Sequence, residues 1–235
     1  MKITVLHGQM HHGSTWHITR LFLDALHTET SQVFEYSFPK DGPLPCIGCY
    51  QCFQKGENSC PHAETVQPIA ESIEESDLVI LESPCYVYGM SGQLKSFLDH
   101  MAYRWMSHRP HPSMSRKIGL CISTAAGLGS GRTAKDMQQN LFFWGISRLM
   151  RYSVNVAAMN WESVDPKRKA RIEKDVSRIA SQIRKNIGTA KPGLKTRFLF
   201  SIMRLNQKGN HWNLTDRNHW VANGWLPADK TGQGG

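Results

Sequence analysis

The chain has 235 residues, enough for one domain to bury a core without disulfide support, and carries 28 Lys plus Arg against 19 Asp plus Glu, a formal charge of +9. It opens on MKITVLHG rather than a charged and apolar leader, and no apolar run is long enough to cross a bilayer. The expectation is a cytoplasmic protein, not an integral membrane one, whose six cysteines stay reduced, so that clustered thiols point to metal or redox chemistry rather than to stability.

In chain order, Lys2 to Leu6 reads as a short buried strand. A polar loop from His7-Gly8 to Thr15 leads into apolar-periodic Ile18, Leu21, Phe22 and Leu26, a helix capped at Ser14 or Thr15. Loop amides and a helix N-terminus together make an anion site. The Gly8 to Gly13 spacing resembles a P-loop, but no Lys-Ser/Thr pair follows Gly13, which disfavours nucleoside triphosphate hydrolysis. Val33 to Ser37 is the second strand, and Phe38 to Pro61 is a functional loop rich in Pro, Gly and Cys. Val66 to Ile73 is helical, and Leu78 to Leu81 is the third strand.

That strand runs into LESPCYVYGMSGQLKSF, which breaks at Ser83-Pro84, carries Tyr86 and Tyr88, and restarts as a helix behind Ser91 and Gly92, expected to run to about Trp105. Two aromatic rings and a helix N-terminus at a sheet edge suit a flat, anionic guest, a description that flavin mononucleotide fits. Ile118 to Ser123 is the fourth strand, ended by the small-residue loop Thr124 to Gly131. A helix containing Leu141, Trp144 and Ile146 follows, then a fifth strand at Ser153 to Ala158 and a helix from Pro166 to about Ile187.

Five strand–helix alternations predict an α/β fold, a doubly wound five-stranded parallel sheet of order 2-1-3-4-5 in which the loops after strands one, three and four converge. Residues 1–190 form the predicted FMN-binding domain and 191–235 a basic, aromatic C-terminal extension with Trp212, Trp220 and Trp225. Docking of this tail on its own domain is favoured over a dimer arm or a membrane contact. The basic second half attracts phosphate-bearing partners of any kind, but without a nucleic-acid motif it is read as a solvated helix face.

The quoted residues resemble the flavodoxin-like NAD(P)H-dependent FMN reductases, including the iron–sulfur flavoproteins. Ser83, Pro84, Tyr86, Gly89, Ser91, Gly92, Leu94 and Lys95 match that family's flavin loop, CIGCYQC its cysteine loop, and HWVANGWL the ending of some members. The resemblance implies FMN across the three loops. Ser14 and Thr15 would hold the phosphate, Pro84, Cys85, Tyr86, Val87, Tyr88 and Gly89 the ribityl chain and ring, and Thr124, Ala125, Ala126 and Gly127 the pyrimidine edge. In the first loop Gln9, Met10, His11 and His12 depart from the family's Gly-Ser-Pro-Arg pattern, and Gln9 and His11 become candidate cofactor contacts. No catalytic acid or base is assigned, because hydride passes directly between stacked rings; His7, His11 and His12 are read as anion contacts or surface residues.

Cys46, Cys49, Cys52 and Cys60, at C-x2-C-x2-C-x7-C, leave open a [4Fe–4S] cluster, free or redox-active thiols, or zinc. The expected activity is electron transfer from NAD(P)H through FMN to a quinone, a flavin, another small acceptor or a redox partner protein, in a homodimer or homotetramer. The alternative is a non-catalytic iron–sulfur flavoprotein carrier or redox sensor.

Overall fold

The computed structural model describes residues 1–228. Its elements are β1 (Lys2–His7), α1 (Ser14–Leu26), β2 (Gln32–Ser37), α2 (Gln51–Gln54), α3 (Ala63–Glu75), β3 (Leu78–Pro84), α4 (Gly92–His100), β4 (Ile118–Ala125), α5 (Ser130–Phe143), β5 (Arg148–Asn155), α6 (Pro166–Asn186), α7 (Leu194–Lys208) and α8 (Leu214–Ala222). The five strands form one sheet in the order β2-β1-β3-β4-β5, and every neighbouring pair is parallel. The order predicted from the sequence is the order found.

The alternation of side chains along each strand sorts the core into two halves. Ile3 and Val5 of β1, Leu78 and Ile80 of β3, and Ile118, Leu120 and Ile122 of β4 point to the face covered by α1 and α6, where they meet Ile18, Phe22, Val176 and Ile183. Leu6, Val79, Leu81 and Cys121 point the other way, onto Ile69, Phe97, Leu141 and Trp144. Burial on both sides explains why the central strands read as continuous apolar runs. Cys121, fully enclosed there, has its thiol pushed well up by burial and belongs to the core.

The fifth strand differs from its predicted position: it spans Arg148–Asn155 rather than Ser153 to Ala158. Gly145, at φ 99°, turns the chain directly out of α5, and Arg148 already pairs with Ile118 of β4. Because this is an edge strand, Arg148 and Arg151 are tolerated within it, and their charges mask the alternation of Leu149, Met150, Tyr152 and Val154. The helix after the third strand also stops short of Trp105. It ends at His100, and a 3-10 turn over Met101–Arg104 continues the chain.

The segment after residue 191 forms α7, a helix of 15 residues, and α8, of nine. Trp220 is fully buried and its indole N–H donates to the His108 carbonyl at 2.5 Å. Phe200 of α7 stacks on Trp220 at 4.9 Å, and Trp225 meets both rings edge-on at 5.1 Å. Through these contacts α7 and α8 dock on their own chain; residues 229–235 of the predicted extension lie outside the described residues.

Candidate functional site

The carboxyl ends of β1, β3 and β4 bring three loops together, at 8–13, 84–91 and 125–130. α1 begins behind Gly13, a residue with no side chain to cap it, so the first-turn amides of α1 face the loop without a side-chain acceptor. Ser14 and Thr15 lie at that terminus, and the Thr15 hydroxyl is 2.7 Å from the Thr124 hydroxyl, joining the first loop to the third. Tyr86 Oη donates to Gln9 Oε1 at 3.0 Å, and Gln9 Nε2 donates to the His11 carbonyl at 2.7 Å, joining the first loop to the second. Gln9 is therefore a buried latch whose amide is occupied at both ends. His11 lies exposed against Gly13, whereas the His12 ring stacks on Trp16 at 4.2 Å.

The second loop is a tight hairpin. Tyr86 and Gly89 exchange backbone hydrogen bonds of 2.9 and 3.0 Å, and the two residues between them, Val87 and Tyr88, sit at φ 50° and 62°. A β-branched residue in this left-handed region costs on the order of 1–2 kcal/mol, and such outliers cluster at ligand clamps. Val87 is completely exposed, and the rings of Tyr86 and Tyr88 are half-exposed on either side of it. Pro84 and Cys85 lie half-buried at its base, and Ala126 and Gly127 of the third loop are open. An uncapped helix terminus beside a strained, exposed aromatic hairpin and an open small-residue loop fits a flat group bearing a phosphate.

Beneath the first loop, His7 links three strands. Its Nδ1 is 3.0 Å from Glu82 Oε1 and its Nε2 is 2.9 Å from Glu35 Oε2, and both ring nitrogens facing carboxylates calls for a proton on each. Burial opposes the charge, but the hydrogen bonds to Glu35 and Glu82 outweigh it and raise the His7 pKa to about 9. Hydrogen bonding to His7 lowers Glu35, helped by Arg20, while burial raises Glu82. The sequence reading of His7 as an anion contact or a surface residue is corrected: it is a buried inter-strand bridge.

A raised histidine stabilises the fold fully below its unfolded pKa of about 6.5 and loses that contribution as pH rises through about 9. The expected loss is on the order of 3 kcal/mol at most. Urea midpoints measured from pH 6.5 to pH 9.5 should fall in the parent chain. A slope unchanged in His7→Gln would show that another group titrates.

The cysteine loop forms a second basin. Cys46, Cys49, Cys52 and Cys60 line one cavity of about 260 Å³ together with His62 and His100. Gly48 at φ 65°, Tyr50 at 57° and Gly56 at 101° fold the chain back on itself, leaving Cys46 and Cys49 exposed and Cys52 and Cys60 half-buried around the cavity. All four thiols are free. Burial raises the Cys52 pKa first, and the nearby Cys60, Cys46 and Cys49 add to it against the opposing charge of Arg109. Cys60 Sγ lies 3.5 Å from His100 Nδ1 and accepts from the His62 amide at 3.4 Å, and the ligand atoms of Cys60, His62 and His100 fall within 4.8 Å of one another. Four soft thiol donors around one cavity fit an iron–sulfur cluster, with imidazoles at the rim.

Neither His62 nor His100 is among the residues that the sequence marks as a site. His62, two residues beyond Cys60, was within reach of a spacing argument. His100 was not, because α4 delivers it from 40 residues away. That helix starts at its N-cap Ser91 in the second loop and ends at His100 in the cysteine basin. The two basins therefore stand at opposite ends of a rod roughly 12 Å long.

The sequence profile of NADPH-dependent FMN reductases matches residues 1–160. The chain belongs to that family. The matched stretch holds all three loops, the cysteine basin and the five strands, and α6 to α8 lie beyond it. Among its curated relatives, an iron–sulfur flavoprotein of Methanocaldococcus jannaschii is 31% identical over 144 residues, 61% of this chain and 72% of the relative. Another, from Archaeoglobus fulgidus, is 35% identical over 102 residues, and the match spans 44% of that relative's length. An FMN-dependent NADH-azoreductase from Bacillus anthracis, solved with FMN, shares the fold at a TM-score of 0.59 and 13% identity, over 77% of this chain and all of that one.

Proposed function

We propose that the chain is an FMN oxidoreductase that takes electrons from NAD(P)H and passes them to a quinone or other small acceptor, with a [4Fe–4S] cluster held by Cys46, Cys49, Cys52 and Cys60. The observation that supports this most directly is the strained hairpin at Val87 and Tyr88, held against the uncapped start of α1 by the Tyr86–Gln9 hydrogen bond. FMN, when bound, supplies the two-electron chemistry, accepting hydride and releasing electrons onward.

On this reading the first-turn amides of α1 and the hydroxyls of Ser14 and Thr15 hold the phosphate. His11 stands at the same terminus. Pro84 to Gly89 hold the ribityl chain and one side of the ring, and the backbone of Thr124 to Gly127 meets the polar edge. Tyr86 and Tyr88 shield that side from water. No side chain is asked to move a proton in hydride transfer. The convergence of four thiols at the far end of α4 supports a second reading, in which the chain relays electrons to a partner protein without turnover on a small acceptor. The related azoreductases and reductases share the fold only, so the acceptor and a homo-oligomeric state remain part of the proposal. Among the described residues no helix is long and apolar enough to cross a membrane.

Anaerobic purification, a visible spectrum, and chromatography of the heat-released cofactor test the assignment together. The expected result is FMN with four iron per chain at full reconstitution. Cys49→Ser should lose the iron and keep the flavin. Recovery of FAD, or of no flavin after reconstitution, would overturn the flavin site; stoichiometric zinc, or four freely titratable thiols without iron uptake, would overturn the cluster. Steady-state NAD(P)H oxidation with a quinone separates an enzyme from a carrier.

A further inference from the structure

The second half of the chain presents a surface that neither basin uses. From residue 176 to residue 215 there is no Asp or Glu, while Arg178, Arg184, Lys185, Lys191, Lys195, Arg197, Arg204 and Lys208 all fall in that stretch. Helix α7 lies within it. Its inward face is fixed by Thr196 and Gln207, which are buried, by Phe200 stacked on Trp220, and by Gln207 Nε2 donating to the Ser107 carbonyl at 2.7 Å.

At 3.6 residues per turn, the side of α7 opposite Thr196 and Gln207 carries Leu194, Phe198 and Leu205, with Ile202 next to them. Those three are 83%, 69% and 71% exposed. Arg197, Arg204 and Lys208 flank this apolar stripe on one side and Lys195 flanks it on the other, all exposed. Just past the helix, Trp212 is 82% and Leu214 58% exposed. An apolar ridge pointing straight into solvent costs solubility, and packing onto its own fold does not explain it, because the helix docks through its other face.

We propose that α7 lays this ridge into the surface of an anionic phospholipid bilayer, with the flanking cations on the headgroups. A helix that carries Leu and Phe along one line, Lys and Arg to both sides and no acidic residue has the chemistry of an interfacial helix. It is 15 residues long, about 22 Å, and lies flat rather than spanning. The charge complementarity chooses lipid over a second copy of this chain, whose matching ridge would bring cations against cations. The exposed leucines and phenylalanine choose lipid over nucleic acid, which the cations alone would serve. The proposal is independent of the flavin and cluster assignments.

Full-length protein is tested by co-sedimentation with vesicles of phosphatidylcholine plus phosphatidylglycerol, and with pure phosphatidylcholine. Binding is expected to the first and not to the second, and to weaken as salt is raised. Combined Leu194→Ser, Phe198→Ser and Leu205→Ser should weaken it at least tenfold. Combined Lys195→Gln, Arg197→Gln and Arg204→Gln should weaken it about a hundredfold. These side chains are exposed, so both variants should keep the parent's circular dichroism and flavin content. Failure to bind anionic vesicles, or equal binding by the apolar variant, would overturn the proposal. So would a dimer that this variant splits while vesicles are ignored, which assigns the ridge to a second copy. Tighter binding to duplex DNA, unchanged in the apolar variant, would assign the patch to nucleic acid.

Discussion

Replacing Arg109 with Met is expected to destabilise the protein by about 3–5 kcal/mol, a large share of the 5–15 kcal/mol that holds a domain folded. The guanidinium is buried, and it ties three distant segments together. Its Nε donates to Glu57 Oε2 at 3.2 Å and Nη1 to Asp216 Oδ1 at 2.5 Å, while Nη2 donates to the Cys52 carbonyl. It also lies over the Tyr103 ring, 5.4 Å from the centroid. Methionine keeps much of the volume but leaves the Asp216 carboxylate enclosed without the arginine, still bonded to His108 and Asn213.

The loss should reach the cysteine basin, because Arg109 fastens the loop containing Cys52 to α8. Thr215 makes a weaker tie to the same loop, through its hydroxyl to the Gln54 carbonyl. The expected signature is a lower thermal midpoint together with faster reaction of Cys52 with a thiol reagent, measured below the midpoint. A stability within about 1 kcal/mol of the parent would show that the pair is no more than an ordinary surface ion pair. Unchanged thiol reactivity would show that the loop holds its shape without α8.

Two glycine substitutions should perturb the loops from opposite sides. A Cβ on Gly8 would sit 2.8 Å from the Glu82 carbonyl oxygen and 2.8 Å from Ser91 Oγ, in the gap where the Gly8 amide already donates to Glu82. The strand carbonyl cannot swing aside, so Gly8→Ala should cost about 1–3 kcal/mol and displace the 8–13 loop with it. Gly129 holds φ 102°, and a Cβ there would meet Cys85 Sγ at 2.6 Å and Tyr88 Cδ1 at 3.2 Å. Gly129→Ala therefore presses on the hairpin side chains rather than on the core. At that φ a Cβ also strains the backbone by about 1–2 kcal/mol, so the expected result is a flavin dissociation constant raised at least tenfold together with a modestly lower thermal midpoint measured without flavin. If the variant binds flavin like the parent, the hairpin does not shape the flavin site.

The sheet order and the three loops were legible because their signals are local. LVIL and KITVL are buried on both faces and read as strands without a partner in view, and small residues mark the turns after β1, β3 and β4. The four cysteines were legible for the same reason, since their spacing lies within one loop. The fifth strand was misplaced by five residues at its start because Arg148 and Arg151 interrupt its pattern, and an edge strand takes its register from β4 rather than from its own composition.

What the sequence determined by itself was periodicity and spacing: a doubly wound sheet, loops suited to a phosphate and a ring, and four thiols in reach of one another. Only the tertiary structure decided which distant groups meet. His100 arrives beside Cys60 because α4 is nine residues long, Asp216 reaches Arg109 from 107 residues away, and His7 finds a carboxylate on each neighbouring strand because the register places Glu35 and Glu82 there. The left-handed Val87 ran against its own preference, since the hairpin closure at Tyr86 and Gly89 overrides the local cost. Which face of α7 stayed in solvent was likewise settled by Phe200 choosing Trp220 as its partner. Contacts of this kind depend on how whole elements pack, and a pattern read along one element holds no record of the side chains it will meet.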